Sequence, residues 1–390
     1  MREKATAEGR IPVYDKRCSH LEKPQIENLI KNGKHFTIRL KCPTDTSLVT
    51  DVVYGKIKMG LAQQDDAVLV KSDGTPTYHL AHPIDDHLMR ITHVFRGEEW
   101  LPSTPKHLAV FRGLGWTPPK YVHLPLLFNK NRTKLSKRSG DVDVHSFIEK
   151  GYLPEAVINF VAYLGWTPKT SGKEVLSLDE MAEIFSLEEL NRGNPIVNMD
   201  KLNWFNGKYI SEHLSNPQTL EAIAKEMQPK IKEFLNLEEP PKLKDVINAL
   251  FLSKDKLDVY MDICDVGDYF FKNPDTKISS EVEAAIIKVA DKNQIIEIMR
   301  KVLYKLEKVN SEGFKFGELE SNGKDKSANW GEISKEISKE LGVKPSVVSL
   351  ITRISLTGKK SGPGLNDLIA ALGYETVVSR LNIFEKSINI

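Results

Sequence analysis

ITHVFRG (Ile91 to Gly97), TPKHLAVFRGLG (Thr104 to Gly115) and YVHLPLLF (Tyr121 to Phe128) follow one another along a single stretch, and their reading decides the fold class. The first and third are apolar runs bounded by turn formers, which predicts buried strands. The middle run ends on a glycine and predicts a helix. Strand, helix and strand in that order make a βαβ unit. Upstream, HFTIRLKCP, DVVYGKIKMG and AVLVK, between Lys34 and Val70, are β-branched and alternating, which predicts short strands in a sheet. Ser72-Asp73-Gly74-Thr75-Pro76 predicts a turn.

Beyond Asp143 the pattern becomes helical. Leu153 to Trp166 and Leu176 to Phe185 predict helices, with prolines at first turns. Asn216 to Pro241 is charged and punctuated by proline. Amphipathic helices are predicted over Val282 to Leu306 and Trp330 to Leu341, the latter with Ile333, Ile337 and Leu341 four residues apart. Ser311 to Gly331 is rich in glycine and lysine and predicts an exposed loop or a small insertion. There is no internal repeat.

A chain of 390 residues, 40% of them hydrophobic, supports two or three cores. With 55 basic against 53 acidic residues it has no large uniform field, so any nucleic-acid surface must be local. Cys18, Cys42 and Cys264 form no CxxC pair, which argues against a disulfide framework or a complete zinc site and fits a reducing compartment. No run of 18 apolar residues exists, and MREKATAEGRIP lacks the apolar region of a signal peptide.

The chemistry concentrates in NKNRTKLSKRSG (Asn129 to Gly140), where Lys130, Arg132, Lys134, Lys137 and Arg138 stand among small residues just after a predicted strand. Cations on a loop at a strand's carboxyl end can neutralise charge on phosphate oxygens, which is most of what phosphoryl or nucleotidyl transfer asks of a protein. On charge alone a solvated basic turn is the plainer reading. The order of residues shifts the balance.

Lys134-Leu135-Ser136-Lys137-Arg138 resembles the KMSKS-type loop of class I aminoacyl-tRNA synthetases, in the KLSKR form of glutamyl-tRNA synthetases. The resemblance runs from SDGTPTYHLA (Ser72 to Ala81) through DDHLMRITHVFRGEEWLPSTPKHL (Asp85 to Leu108) to GYLPEAVINFVAYLGWTP (Gly151 to Pro168). It continues in EIFSLEEL (Glu183 to Leu190) and DKLNWFNGKYI (Asp200 to Ile210), weakens, and returns at LTGKKSGPGLNDLIAALG (Leu356 to Gly373). It implies an α/β plus all-α fold in four parts. Residues 1–70 would be the remainder of a tRNA acceptor-binding insertion and 71–142 the C-terminal half of a Rossmann-type catalytic domain. Residues 143–215 would be a helical stem-contact region and 216–390 an all-helical anticodon-binding domain.

The same resemblance implies that Lys137, assisted by Lys134, meets the ATP phosphates and the departing pyrophosphate, with Ser136 and Arg138 beside them. Leu126 and Leu127 would line the adenine site, largely through backbone, and Glu99 would face the nucleotide. Tyr78 and Arg96 would hold glutamate, since a guanidinium fork suits a carboxylate in charge and geometry. Without that context Tyr78 reads as a half-buried strand-edge tyrosine and Arg96 as part of a surface ion pair. His82 occupies a position where related enzymes differ, one form carrying an asparagine that contacts glutamate. A metal centre at Asp85-Asp86-His87 with His79, His82 and His93 is rejected, because the spacings match no familiar ligand pattern and the resemblance makes the aspartates a structural turn.

ATP with Mg²⁺, glutamate and tRNA(Glu) are therefore the expected partners of a monomer that needs neither zinc nor a membrane. Charging of tRNA(Gln) is an open alternative. The expected compartment is the mitochondrial matrix, or the cytoplasm in a bacterial source. The family's HIGH-like segment is not found in these residues, so the expectation is an N-terminally truncated chain that is inactive alone. Two other readings stand beside this one. A non-catalytic tRNA-binding remnant would have no need of Lys134, Lys137, Tyr78 and Arg96. A paralogue that glutamylates a modified tRNA base would lack the long helical half.

Overall fold

In SLVTDVVYGKIKM the chain folds back at Tyr54-Gly55, where Gly55 takes φ +76°, a left-handed conformation that glycine adopts without a Cβ clash. The computed structural model describes residues 6–7, 9, 14–42, 47–59, 66–135, 143–169, 172–274, 279–311 and 329–388. Strands among them are β1 (Ile38–Arg39), β2 (Ser47–Asp51), β3 (Gly55–Met59), β4 (Val68–Val70), β5 (His93–Gly97) and β6 (Lys120–Leu124).

One sheet runs β3-β2-β6-β5, with β2 and β3 antiparallel and β2, β6 and β5 mutually parallel. The other pairs β1 with β4. The alternating runs between Lys34 and Val70 thus divide between two sheets instead of sharing one, because β2 finds its parallel partner in β6 far down the chain.

Helices in the same region are α1 (Lys23–Lys31), α2 (Tyr78–Leu88) and α3 (Thr104–Gly113). The βαβ unit is β5-α3-β6; α3 buries Thr104, Pro105, His107, Val110 and Phe111. β6 is buried at Tyr121, Val122 and His123. β5 is not the buried strand expected: it closes the sheet edge, and Phe95 is 50% exposed. The turn at 72–76 forms as expected. Gly74 takes φ +82°, and Asp73 Oδ1 accepts from the Thr75 amide at 2.9 Å. Tyr78 begins a helix and does not lie on a strand edge, and Asp85, Asp86 and His87 form the last turn of that helix instead of a separate turn.

The remaining helices are α4 (Val144–Glu149), α5 (Pro154–Gly165), α6 (Leu178–Ile184), α7 (Met199–Ser215), α8 (Pro217–Phe234), α9 (Leu243–Ser253) and α10 (Ile263–Val266). After these come α11 (Ser280–Ile287), α12 (Lys292–Ser311), α13 (Trp330–Leu341), α14 (Pro345–Thr357), α15 (Leu365–Leu372) and α16 (Tyr374–Ile388). α6 starts on a capping box, Ser177 with Glu180. The single helix expected over Val282 to Leu306 is two, α11 and α12. Asp291 starts the second, accepting from the Gln294 amide at 2.9 Å. The charged stretch after Asn216 is helical, capped by the Asn216 side chain. Most of the loop expected at 311–331 lies outside the described residues.

The chain divides into two compact units, residues 1–140 with 158–198, and 141–157 with 199–390. The first holds the sheets and a small core of Trp166, Leu176 and Met181. The second is helical, around fully buried Ile210, Leu250, Ile263, Ile298, Val302, Ile351 and Leu381.

Helix α13 stops at Gly342, φ +67°, whose N–H bonds back to Ser338. A Cβ there would meet nothing within 4 Å, so Gly342→Ala imposes only the left-handed backbone on alanine. A loss of about 1 kcal/mol in urea unfolding is expected. No loss would mean that the helix end rearranges.

Candidate active site

Strands β5 and β6 pair in register, placing Arg96 opposite His123. Arg96 donates in three directions: from Nε to His123 Nε2 at 3.0 Å, from Nη1 to His107 Nδ1 at 3.1 Å and from Nη2 to Thr104 Oγ1 at 2.8 Å. A guanidinium only donates, so these contacts fix both imidazoles. His123 accepts on Nε2, so its Nδ1–H donates to Asp51 Oδ2 at 2.6 Å. His107 accepts on Nδ1, so its Nε2–H donates to His79 Nδ1 at 3.1 Å. His107, His123 and Thr104 are fully buried and Asp51 nearly so.

Burial alone would raise the Asp51 pKa, but hydrogen bonds from His123 and from the Tyr54 and Val53 amides outweigh it and hold the carboxyl below its ordinary value. Burial pulls the Arg96 guanidinium below its ordinary value, countered by Tyr121, Tyr78 and Asp86. Each group in hydrogen-bond contact with Arg96 is neutral, and among the described residues no carboxylate forms an ion pair with it. A half-buried cation so placed attracts an anionic ligand.

Tyr78 stands at the start of α2, its ring 4.6 Å from that of Trp100 and stacked on His82 at 5.3 Å. One turn on, Asp86 Oδ2 approaches His82 Nδ1 at 2.9 Å without the alignment of a hydrogen bond, and His82 Nε2 is buried without a partner among the described residues. Burial lowers the His82 pKa and raises that of Asp86.

Burial, with the nearby Arg96 charge, pushes His107 down to about 2. It is therefore neutral when folded and protonates near its ordinary value of about 6.5 when unfolded. Its stabilisation is complete above pH 6.5 and is lost as pH falls, by at most about 1.4 kcal/mol per unit. Between pH 7 and 5.5 we expect a loss of about 1 kcal/mol from this group, read by denaturant unfolding. His107→Asn, whose amide oxygen can still accept from Arg96, is expected to flatten that slope; an unchanged slope would exonerate His107.

After β5 the chain turns into a 3₁₀ segment (Glu98–Ser103) that carries Glu99. Its carboxylate folds back over Gly97, where an added Cβ would lie 2.0 Å from Glu99 Oε2. Lys134 Nζ reaches Glu99 Oε1 at 3.6 Å, both side chains being exposed. Lys134 sits on a hairpin whose Asn129 amide donates to Thr133 at 2.8 Å, with Arg132 at φ +60°. Residues 194–197 anchor the segment before it: the Leu126 amide donates to Asn194 Oδ1 at 3.2 Å and the Phe128 amide to the Pro195 carbonyl at 3.0 Å. The Leu127 carbonyl accepts from the Leu135 amide at 2.8 Å. Ser136, Lys137 and Arg138 lie outside the described residues. The segment Arg96 to Trp100 thus joins two clusters, Tyr78 with Arg96 and Glu99 with Lys134.

Residues 1–204 match the family described as tRNA synthetases class I (E and Q), catalytic domain, and residues 208–384 match an anticodon binding domain. A glutamate–tRNA ligase of Alkaliphilus metalliredigens is 39% identical over 388 residues, covering 98% of this chain and 73% of the relative. The chain belongs to the class I glutamate–tRNA ligases. A second such ligase, from Clostridioides difficile, is 34% identical over the whole chain and 75% of its own length. The crystal structure of a glutamate tRNA ligase from Elizabethkingia meningosepticum, in complex with its amino acid, superposes with a TM-score of 0.74 at 28% identity, covering all of this chain and 76% of the other. The mixed α/β catalytic region followed by a helical anticodon region is the architecture expected of this ligase family.

Sequence reading brought Tyr78, Arg96, Glu99 and Lys134 to the site but missed Asp51, Thr104, His107 and His123. The signal available was weak: a histidine inside the apolar run YVHLPLLF and an aspartate closing SLVTD. In both places burial without a polar partner would be costly.

Proposed function

We propose that the chain is a glutamate–tRNA ligase that joins glutamate to tRNA(Glu) with ATP. The carrying observation is the half-buried Arg96 guanidinium, surrounded by neutral partners and one segment away from the Glu99–Lys134 pair. In this reading the glutamate carboxylate attacks the α-phosphorus of ATP and pyrophosphate leaves; a terminal ribose hydroxyl of tRNA then attacks the carbonyl of the glutamyl-adenylate, takes the glutamyl group and releases AMP. Tyr78 and Arg96 hold glutamate. Lys134 and Lys137 neutralise the departing pyrophosphate, with Ser136 and Arg138 beside them, while Glu99 and the backbone of Leu126 and Leu127 face the nucleotide. Mg²⁺ arrives with ATP. Contacts to tRNA are largely to phosphates, so affinity falls with salt.

Glutamate-dependent exchange of pyrophosphate into ATP, with tRNA present, tests this. Exchange supported by another amino acid and not by glutamate overturns it, as does tRNA binding with no amino-acid activation in any form of the protein. The chain spans 73% and 75% of two relatives, and the expectation that it needs the remainder for turnover meets the same assay. A normal rate from these 390 residues removes that expectation. Charging of tRNA(Gln), a monomeric state and residence in the mitochondrial matrix, or in the cytoplasm of a bacterium, complete the proposal.

A further inference from the structure

We propose that Asp51 and His123 are positioning residues for Arg96, aiming its guanidinium at the substrate carboxylate; this rests on the reading of Arg96 as the glutamate contact. The observations form one chain. Asp51, at the end of β2, takes four N–H donors: the Val53 and Tyr54 amides on Oδ1 and the His123 amide and ring Nδ1 on Oδ2. His123, in the centre of the same sheet, has one acceptor left, Nε2, which takes the Arg96 Nε–H of the edge strand at 3.0 Å and also lies 3.3 Å from Thr104 Oγ1. Both supporting side chains are out of solvent, so neither can trade its partner for water.

Orientation is what this chain adds. Thr104 and His107, both on α3, bind the Nη ends of Arg96, leaving a rotation about the guanidinium that the Nε contact removes. Tyr121 closes one face, its ring centroid 4.9 Å from Arg96 Cζ. The charged and titratable groups around Arg96 are Tyr78, His79, His82, Asp86, His107, Tyr121, His123 and Asp51 behind it. Only Asp51 is tied to its position by four donors.

Two substitutions separate positioning from a plain structural tie between β2 and β6. Glutamine at 123 presents its amide oxygen near the place of Nε2, so His123→Gln keeps the acceptor for Arg96 and weakens the link to Asp51. Asparagine presents its amide near Nδ1, so His123→Asn keeps the link to Asp51 and leaves Arg96 Nε without an acceptor. Asp51→Asn should resemble His123→Asn: an amide donor toward His123 Nδ1 drives the proton to Nε2, where it confronts the Arg96 N–H.

On the 390-residue chain, ¹⁵N spectra of the histidine rings and arginine Nε–H groups read the geometry directly. We expect His123 protonated on Nδ1, and a protected Arg96 Nε–H whose exchange accelerates about tenfold or more in His123→Asn but little in His123→Gln. In a form competent for adenylate formation, His123→Asn should raise the KM for glutamate about tenfold with the KM for ATP nearly unchanged, and His123→Gln should stay within about threefold of wild type. Thermal unfolding that is equal in the two variants keeps the comparison free of folding defects; if His123→Asn alone melts early, the Asp51→Asn pair of measurements decides in the same way. A proton on His123 Nε2, or a His123→Gln defect equal to or larger than that of His123→Asn, overturns the proposal. If Arg96→Ala itself leaves the glutamate KM unchanged, the assignment of Arg96 is what fails, and the spectra still report whether the tether exists.

Discussion

Arg96→Ala is expected to lower kcat/KM for glutamate by two to three orders of magnitude in any form of the protein that makes glutamyl-adenylate, while tRNA affinity stays within about twofold. The guanidinium lies among imidazoles, a hydroxyl and aromatic rings; Asp51 is separated from it by His123, and Asp86 acts on it without forming an ion pair. A ligand carboxylate would be the first to bond it directly, in surroundings that screen less than water.

Losing such a pair costs about 3–4 kcal/mol, which converts at 1.36 kcal/mol per power of ten. Arg96→Lys is expected to recover little, because one ammonium cannot bond His123, His107 and Thr104 and still present a fork to the ligand. Glutamate-dependent pyrophosphate exchange measures both variants. A tenfold loss or less for the alanine variant would remove Arg96 from the substrate site.

The second large effect lies in the helical unit and concerns stability. Arg380 on α16 is 4% exposed and donates from Nη1 to the Leu356 carbonyl at 2.7 Å and from Nη2 to the Tyr269 and Lys272 carbonyls at 2.6 and 3.2 Å. Its Nε meets Asn273 Oδ1 at 3.3 Å. One side chain thus closes the end of α14 and the segment after α10 onto the final helix. Burial pushes its pKa down to about 10, so holding this charge inside is itself unfavourable.

Arg380→Ala leaves three carbonyls without a donor, at about 1–3 kcal/mol each before relaxation, and adds a cavity. Relief of the buried charge and entry of water offset part of this, and we expect a net loss of about 3–5 kcal/mol in unfolding of the helical unit. Arg380→Lys, able to reach one or two of the carbonyls, should fall between. A loss under about 1 kcal/mol for the alanine variant would show that these carbonyls are already hydrated.

Local patterns were legible because they depend on near neighbours. The βαβ unit, the turn at Gly74, the helix α6 and the amphipathic α13 follow from apolar period and turn residues, each decided within a few residues. The basic hairpin and Arg96 were legible because their order along the chain resembles a known family. Without that resemblance Tyr78 looks strand-like, because its neighbours tolerate either state; contacts with Trp100 and His107 accompany the helix that forms.

What period and propensity could not supply is the partner of each strand. Asp51 and His123 are 72 residues apart, and their bond exists only because β2 lies beside β6 while β5 takes the edge. The same arrangement leaves Phe95 in solvent and gathers neutral groups around Arg96. The sequence by itself determined the βαβ unit, several of the later helices and which loop carries the cations. Only the tertiary structure decided which buried polar atoms meet, because a hydrogen bond across a sheet depends on strand order and register, and neither is a property of local sequence.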